Sequence, residues 1–239
     1  MELARRIHRS LLPDRFVSKR VDIDTRYCEM QLLGGDYATV YEHKPNRIFL
    51  CVCDVTGHGV AAALLAGRVN SFVRDMVKEA DHPCQVVTEL NSFIFRHFNG
   101  LGVFVTFHCF EINLISNEIC YVGCAHPPAL LYHVSRNQCE KLKSQHEIIG
   151  LSPEFSEGCR IDRASFSSGD RLLLYTDGVI ETRNSKGDCF GIEGIESFLK
   201  TADASESSSQ LLDRLFKELQ GFRSGEPKDD ILVAAVNFL

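Results

Sequence analysis

The strand-like runs of this chain come in groups, with paired helical stretches breaking in between. A regular βαβ alternation does not produce that order; an α+β chain with antiparallel sheets does. Alternating apolar runs at residues 21–29, 37–42 and 47–55 read as a meander, with a Pro-Asn turn joining the last two. Residues 59–80 then carry a helical period, and Pro83 opens a second helix that extends to about residue 98. The sheet pattern resumes at 104–113, 118–124 and 129–133. A hairpin is predicted for 158–166 and 171–176, joined through Ser168, Gly169 and Asp170. Leu211, Leu212, Leu215, Phe216 and Leu219 share a helix whose polar, serine-rich approach supplies an N-cap, and 231–238 reads as a buried closing strand. With 239 residues, 44% of them apolar, the chain is large enough to bury a core as one large domain.

Four aspartates sit at the ends of these apolar runs beside glycine or another acid: Asp36 in LLGGDY, Asp54 in IFLCVCDVTGHG, Asp177 in RLLLYTDGV and Asp229 in PKDDILVAAV. A strand that ends in a tight turn projects its carboxylate from the rim of a sheet. Several such rims brought together make a cluster of hard oxygens, whose mutual repulsion a divalent cation relieves. Oxygen-only ligation suits Mg²⁺ or Mn²⁺ rather than zinc. Taken singly, each aspartate is equally an ordinary turn former, because Asp-Gly and Gly-Asp are common loop dipeptides.

Charge and cysteine usage narrow the alternatives. Lys and Arg number 26 against 32 Asp and Glu, a formal charge of −6 that argues against a nucleic-acid partner. No uncharged apolar stretch approaches the roughly 20 residues needed to span a bilayer, and no signal peptide opens the chain. The ten cysteines are scattered, form no CxxC pair and lie largely in apolar runs, so they read as buried, reduced thiols and the chain as cytoplasmic.

The wording around the aspartates resembles a family. GGDY, CDVTGHGVAAALLAGRV, FVTFHCFEI, ICYVGCAHPPALLY, GDRLLLYTDGVIETRN with a following FG, and KDDILVAAV occur in the order and spacing of the metal-dependent PPM (type 2C) protein phosphatases, in their SpoIIE/RsbU branch. The resemblance runs from about Leu11 to the C-terminus. It implies an αββα sandwich, two antiparallel sheets flanked by helices, and two Mn²⁺ or Mg²⁺ ions that activate a water for in-line attack on phosphorus. Asp54 would bridge the ions, with Asp36 and the backbone carbonyl of Val55 completing one site and Asp177 and Asp229 the other. Asp230 is the less favoured acid of its pair and joins Gly35, Gly57, Gly178 and Glu181 around the ligands.

His58, four residues after Asp54, is a candidate proton donor to the leaving oxygen. His126 in CAHPP reads as a buried or turn-capping residue rather than a catalytic one. Thr176 is expected to anchor its turn by hydrogen bonding. Arg26 and Arg68 are candidate phosphate contacts only through their nearness to the aspartate segments.

The departures from the family pattern are specific. Ala38 and Thr39 follow Tyr37 where the branch usually has a further acid, CAH replaces the usual AGH, and Ile231-Leu232 replaces a common hydrophobic-threonine pair. None removes a proposed ligand.

The implied activity is metal-dependent hydrolysis of a phosphoserine or phosphothreonine on a regulatory protein in bacterial signalling, with a STAS-domain anti-sigma-factor antagonist as the implied substrate. The alternative is a catalytically silent phosphatase-fold module that grips a partner. Cyclase and glycosidase readings lack support: Tyr37 and Ala38 follow GGD where a cyclase wants an acidic-aromatic pair, and the chain has no Trp to line a sugar cleft. Residues 1–13, with Leu3, Ile7 and Leu11 on one helical face before Pro13, read as a linker from an upstream receiver or sensor domain of a two-component or related protein. Residues 14–239 read as the phosphatase domain, and a homodimer is compatible with the pattern.

Overall fold

The computed structural model describes residues 2–30, 33–203 and 205–239; Met1, at the start of the expected linker, and Leu32, in the LLGGDY motif, lie outside them. The chain divides into two compact units, each an antiparallel sheet with its own helices, so the class is α+β as expected.

The first unit comprises Met1–Leu12, Leu32–Pro127 and Lys143–Ser165. Its five strands run in the order β3 (Tyr37–Lys44), β4 (Arg47–Val55), β5 (Val105–Asn113), β6 (Glu118–Cys124) and β9 (Asp162–Ser165). Helices α2 (Gly59–Glu79) and α3 (Pro83–Phe98) cover one face. Strand alternation explains the division of residues. Cys51, Cys53 and Val55 of β4 and Val105, Phe107 and Cys109 of β5 pack with Val69, Val73 and Leu90 of the helices, which leaves Asp54 and Thr106 on the opposite face. Asn46 and Asn117 turn the β3–β4 and β5–β6 connections at positive φ, a conformation asparagine tolerates.

The second unit comprises Pro13–Gln31, Pro128–Leu142 and Phe166–Leu239. Its sheet order is β1 (Phe16–Val17), β2 (Val21–Cys28), β11 (Ile231–Phe238), β10 (Arg171–Tyr175), β7 (Ala129–His133) and β8 (Gln138–Leu142). Helices α5 (Gly191–Lys200) and α6 (Ser208–Phe222) bury Ile195, Phe198, Leu211 and Leu215 against Leu173, Tyr175, Val233 and Ala235. The expected N-cap is present as a capping box, Ser207 and Gln210 each satisfying the other's backbone N–H.

Four sequence expectations are corrected. The first three strand candidates are not one meander, because β2 pairs with β1 and β11 while β3 and β4 pair with each other. The hairpin expected through Ser168–Asp170 does not form either: β9 pairs with β6 and β10 with β7 and β11, so the polar turn joins two sheets. Local turn chemistry marks where the chain reverses but not which edge each strand then meets. Thirdly, not every cysteine is a reduced thiol, since Cys84 at the start of α3 is disulfide-bonded to Cys159. Cys51, Cys53, Cys109 and Cys124 are buried and free as expected.

The fourth concerns α1 (Glu2–Arg9). It ends at Arg9, so Leu11, expected on one helical face with Leu3 and Ile7, lies in the turn beyond the helix; Leu3 and Ile7 are 68% and 59% exposed, and His8 is buried. Among the described residues no helix is long and apolar enough to cross a membrane.

Candidate metal-ligand segments

In the first unit the two glycines before Asp36 permit a close approach. A Cβ on Gly35 would stand 2.7 Å from the Val55 carbonyl oxygen and 3.4 Å from Cβ of Ala62, so only glycine lets this loop lie against the end of β4 and the first turns of α2. Asp36 follows directly and is 3% exposed, with the buried ring of Tyr37 fixing the chain beyond it. The loop is held from its other side by α1, whose His8 Nε2 lies 2.8 Å from the Gly34 carbonyl oxygen. Sequence reading missed His8, because nothing in an amphipathic pattern marks a polar residue as the buried one.

Asp54, half-buried, is the penultimate residue of β4, just before Val55. Thr56 pins the chain that follows: its N–H donates to the Phe104 carbonyl at 3.0 Å and its Oγ1 accepts from the Phe104 N–H at 3.0 Å. Gly57 and Gly59 then take φ of 98° and 75° to enter α2. His58 between them is the exposed N-cap residue, and its side chain makes no capping bond.

In the second unit β10 delivers Asp177 as the first residue of α4 (Asp177–Ile180). Thr176, fully buried, donates its N–H to the Leu232 carbonyl at 3.1 Å and accepts from the Leu232 N–H through Oγ1 at 3.0 Å, as the sequence led us to expect. Gly178 is required for the same junction, since a Cβ there would stand 2.0 Å from the Asp230 carbonyl oxygen. That contact sets α4 beside the strand start that carries Asp229 and Asp230. The two acids of the doublet differ: Asp229 is exposed, while Asp230 is 4% exposed and accepts the Met30 N–H at 2.8 Å, so Asp230 ties β11 to the end of β2.

Burial, then the like charges of Asp229 and Glu181, hold the Asp177 carboxyl above its ordinary range. A cation relieves that repulsion, and the donors in both units are hard oxygens, so the residues fit Mg²⁺ or Mn²⁺. Among the described residues, no three His, Cys, Asp or Glu side chains are gathered into a group able to hold a metal. The candidate ligands are two sets, one in each unit.

Both candidate phosphate-binding arginines have other work. Arg26 pairs with Asp24 at 2.8 Å and Asp213 at 3.0 Å and donates to Ser209, fixing α6 to β2. Arg68 lies over the rings of Phe93 and Phe98, 5.3 and 5.0 Å from their centroids, and ties α2 to α3. A cavity of about 90 Å³ beside Asp229 is instead lined by Arg183, Arg223 and Lys228 together with Glu181 and Glu226. Scattered through loops, those cations gave no sequence signal.

The fold and the acid-bearing strand ends define the chain as a PP2C-type phosphatase domain. The family model described as Stage II sporulation protein E (SpoIIE) matches residues 44–239, so the chain belongs to the SpoIIE family. That span holds Asp54, Asp177 and Asp229 but not Asp36. Phosphoserine phosphatase RsbP of Bacillus subtilis (strain 168) is 29% identical over 184 residues, 76% of this chain and 45% of that protein. Phosphoserine phosphatase RsbU of the same organism is 24% identical over 188 residues, 78% of this chain and 55% of its own length. The chain spans about half the length of the curated relatives it matches. Among solved structures, the SiaA-PP2C domain of Pseudomonas aeruginosa aligns with a TM-score of 0.84 and 18% identity over 100% of this chain and 95% of that one, which shows the shared fold.

Proposed function

We propose that this chain is a Mn²⁺- or Mg²⁺-dependent protein serine/threonine phosphatase. Carrying this reading most directly is the acid set of the second unit, where half-buried Asp177 feels the like charges of Asp229 and Glu181 on a junction that Gly178 and Thr176 fix. Fixing like charges together costs free energy that a bound cation returns. The proposed ligands are Asp36, Asp54 and the Val55 carbonyl in the first unit, and Asp177 and Asp229 in the second. Bound divalent metal supplies charge neutralisation at the phosphoryl group and an activated water at neutral pH. His58, exposed at the start of α2, is the proposed proton donor to the leaving oxygen. Asp230, Gly35, Gly57, Gly178 and Glu181 hold or surround these groups rather than ligate.

The substrate we propose is a phosphoserine or phosphothreonine regulatory protein, of the STAS-domain antagonist class that the sequence resemblance implies. Support for the residue type comes from the relatives named as phosphoserine phosphatases. We further propose that residues 1–13 link to an upstream receiver or sensor domain and that 14–239 form the phosphatase domain. The exposed Leu3, Ile7, Val60 and Leu64 favour such docking, as does a groove of about 320 Å³ between α1 and α2 lined by Ile7, Leu11, Leu33 and Leu64.

Phosphate release from p-nitrophenyl phosphate and from a phosphoserine protein, with Mn²⁺, Mg²⁺ or EDTA, tests the activity. Turnover is expected with metal and lost in EDTA, and Asp54→Asn is expected to fall to the EDTA level. Asp54→Asn with full activity would remove the site assignment. Wild-type chain with neither turnover nor Mn²⁺ binding would favour the silent binding module.

A further inference from the structure

The face of the first unit's sheet that bears Asp54 also carries a polar network that a turn alone does not require. Asp54 on β4 stands directly opposite Thr106 on β5, so their side chains are neighbours on one face. Oγ1 of Thr106 lies 2.8 Å from Nδ1 of His126. His126 is 4% exposed and is clamped through its backbone by one hydroxyl: its N–H donates to Ser144 Oγ at 2.9 Å, and that Oγ donates to the His126 carbonyl at 2.8 Å. The preceding residue, Ala125, takes φ of 47°, a left-handed conformation unfavourable for alanine, which has a Cβ and no polar side chain to compensate. Behind it the His108 ring packs edge-on against His126, 5.2 Å between centroids, in space that exists because position 123 is glycine.

A histidine needed only to cap a turn would use its backbone and leave the ring free to vary. Here backbone strain, a buried second imidazole and a glycine are all spent on aiming one ring nitrogen at one threonine. We propose that His126 is a positioning residue for Asp54, acting through Thr106: the imidazole fixes the Thr106 rotamer, and that β-branched side chain limits the rotamers open to the carboxylate across the strand pair. The inference rests on the reading of Asp54 as a metal ligand. Groups that orient metal-binding carboxylates affect metal affinity even though they never touch the ion.

The test is Mn²⁺ titration calorimetry on the 239-residue chain, paired with melting of the metal-free protein. Thr106→Ala and His126→Ala are each expected to weaken Mn²⁺ binding by about tenfold. His126→Asn, whose amide nitrogen reaches the place of Nδ1, is expected to recover most of that loss. Thr106 is half-buried at the end of its strand, so its variant is expected to melt as the wild type does without metal and to remain informative if His126→Ala does not fold. Wild-type Mn²⁺ affinity in Thr106→Ala would overturn the inference and leave the metal reading standing. A wild-type chain that binds no Mn²⁺ would overturn both.

Discussion

Replacing Thr176 by valine tests whether the junction that delivers Asp177 is held by a hydrogen bond or by packing. The side chain is fully buried, and its Oγ1 accepts the Leu232 N–H at 3.0 Å while reaching toward the Leu232 carbonyl at 3.5 Å. Leu232 is itself fully buried, so water cannot take over as acceptor. Valine keeps the shape and removes the acceptor, which leaves one buried N–H unpaired at a cost of about 1–3 kcal/mol. The extra buried methyl offsets less than about 0.8 kcal/mol of that. A net loss of about 1–2 kcal/mol in a chain of this size lowers the melting temperature by roughly 2–8 °C. Urea unfolding of the metal-free protein measures it, with Thr176→Ser as control: serine keeps the oxygen and loses about 1 kcal/mol for the missing methyl. Mn²⁺ affinity is expected to fall in the valine variant and to stay near wild type in serine, because the bond fixes where α4 begins. Valine as stable as wild type, with serine the weaker variant, would refute the hydrogen-bond argument.

Ala125→Gly is expected to stabilise the fold by about 1 kcal/mol, because the exposed Ala125 Cβ contributes little packing while its φ of 47° is strained; an unchanged urea midpoint would contradict this. Burial, then the neighbouring His126, holds His108 well below the ordinary imidazole range, so the folded state keeps it neutral where the unfolded chain takes up a proton. Stability from this group is therefore complete above about pH 6.5 and falls by up to about 1.4 kcal/mol per pH unit below it, toward the lowered folded pKa. Denaturation at pH 7.0, 6.0 and 5.0 should show a slope flatter by that amount in His108→Leu. The Cys84–Cys159 disulfide spans 75 residues, so its reduction is expected to cost about 2–4 kcal/mol. The double serine variant should match the reduced wild type and ignore reductant.

Strand and helix segments with strong periodicity were legible without coordinates. Residues 47–55, 83–98, 118–124 and 129–133 begin and end where the apolar pattern and its flanking turns place them, because alternation and helical spacing are local properties. Short or weakly patterned elements were not: the two-residue β1, the polar β8 and the four-residue α4 depend on the partners they meet.

The sequence by itself determined the class of fold, the family, and the acids and glycines worth attention, since each of those is written in residue type and spacing. Only the tertiary structure decided which sheet each strand joins, because hydrogen-bond pairing is non-local. The same holds for His8 supporting the Gly34 loop, for Asp230 capping β2 while Asp229 stays exposed, for Arg26 and Arg68 being used in packing, and for His126 reaching Thr106. Each of those roles depends on a partner distant in sequence, and spacing along the chain says nothing about which distant groups will meet.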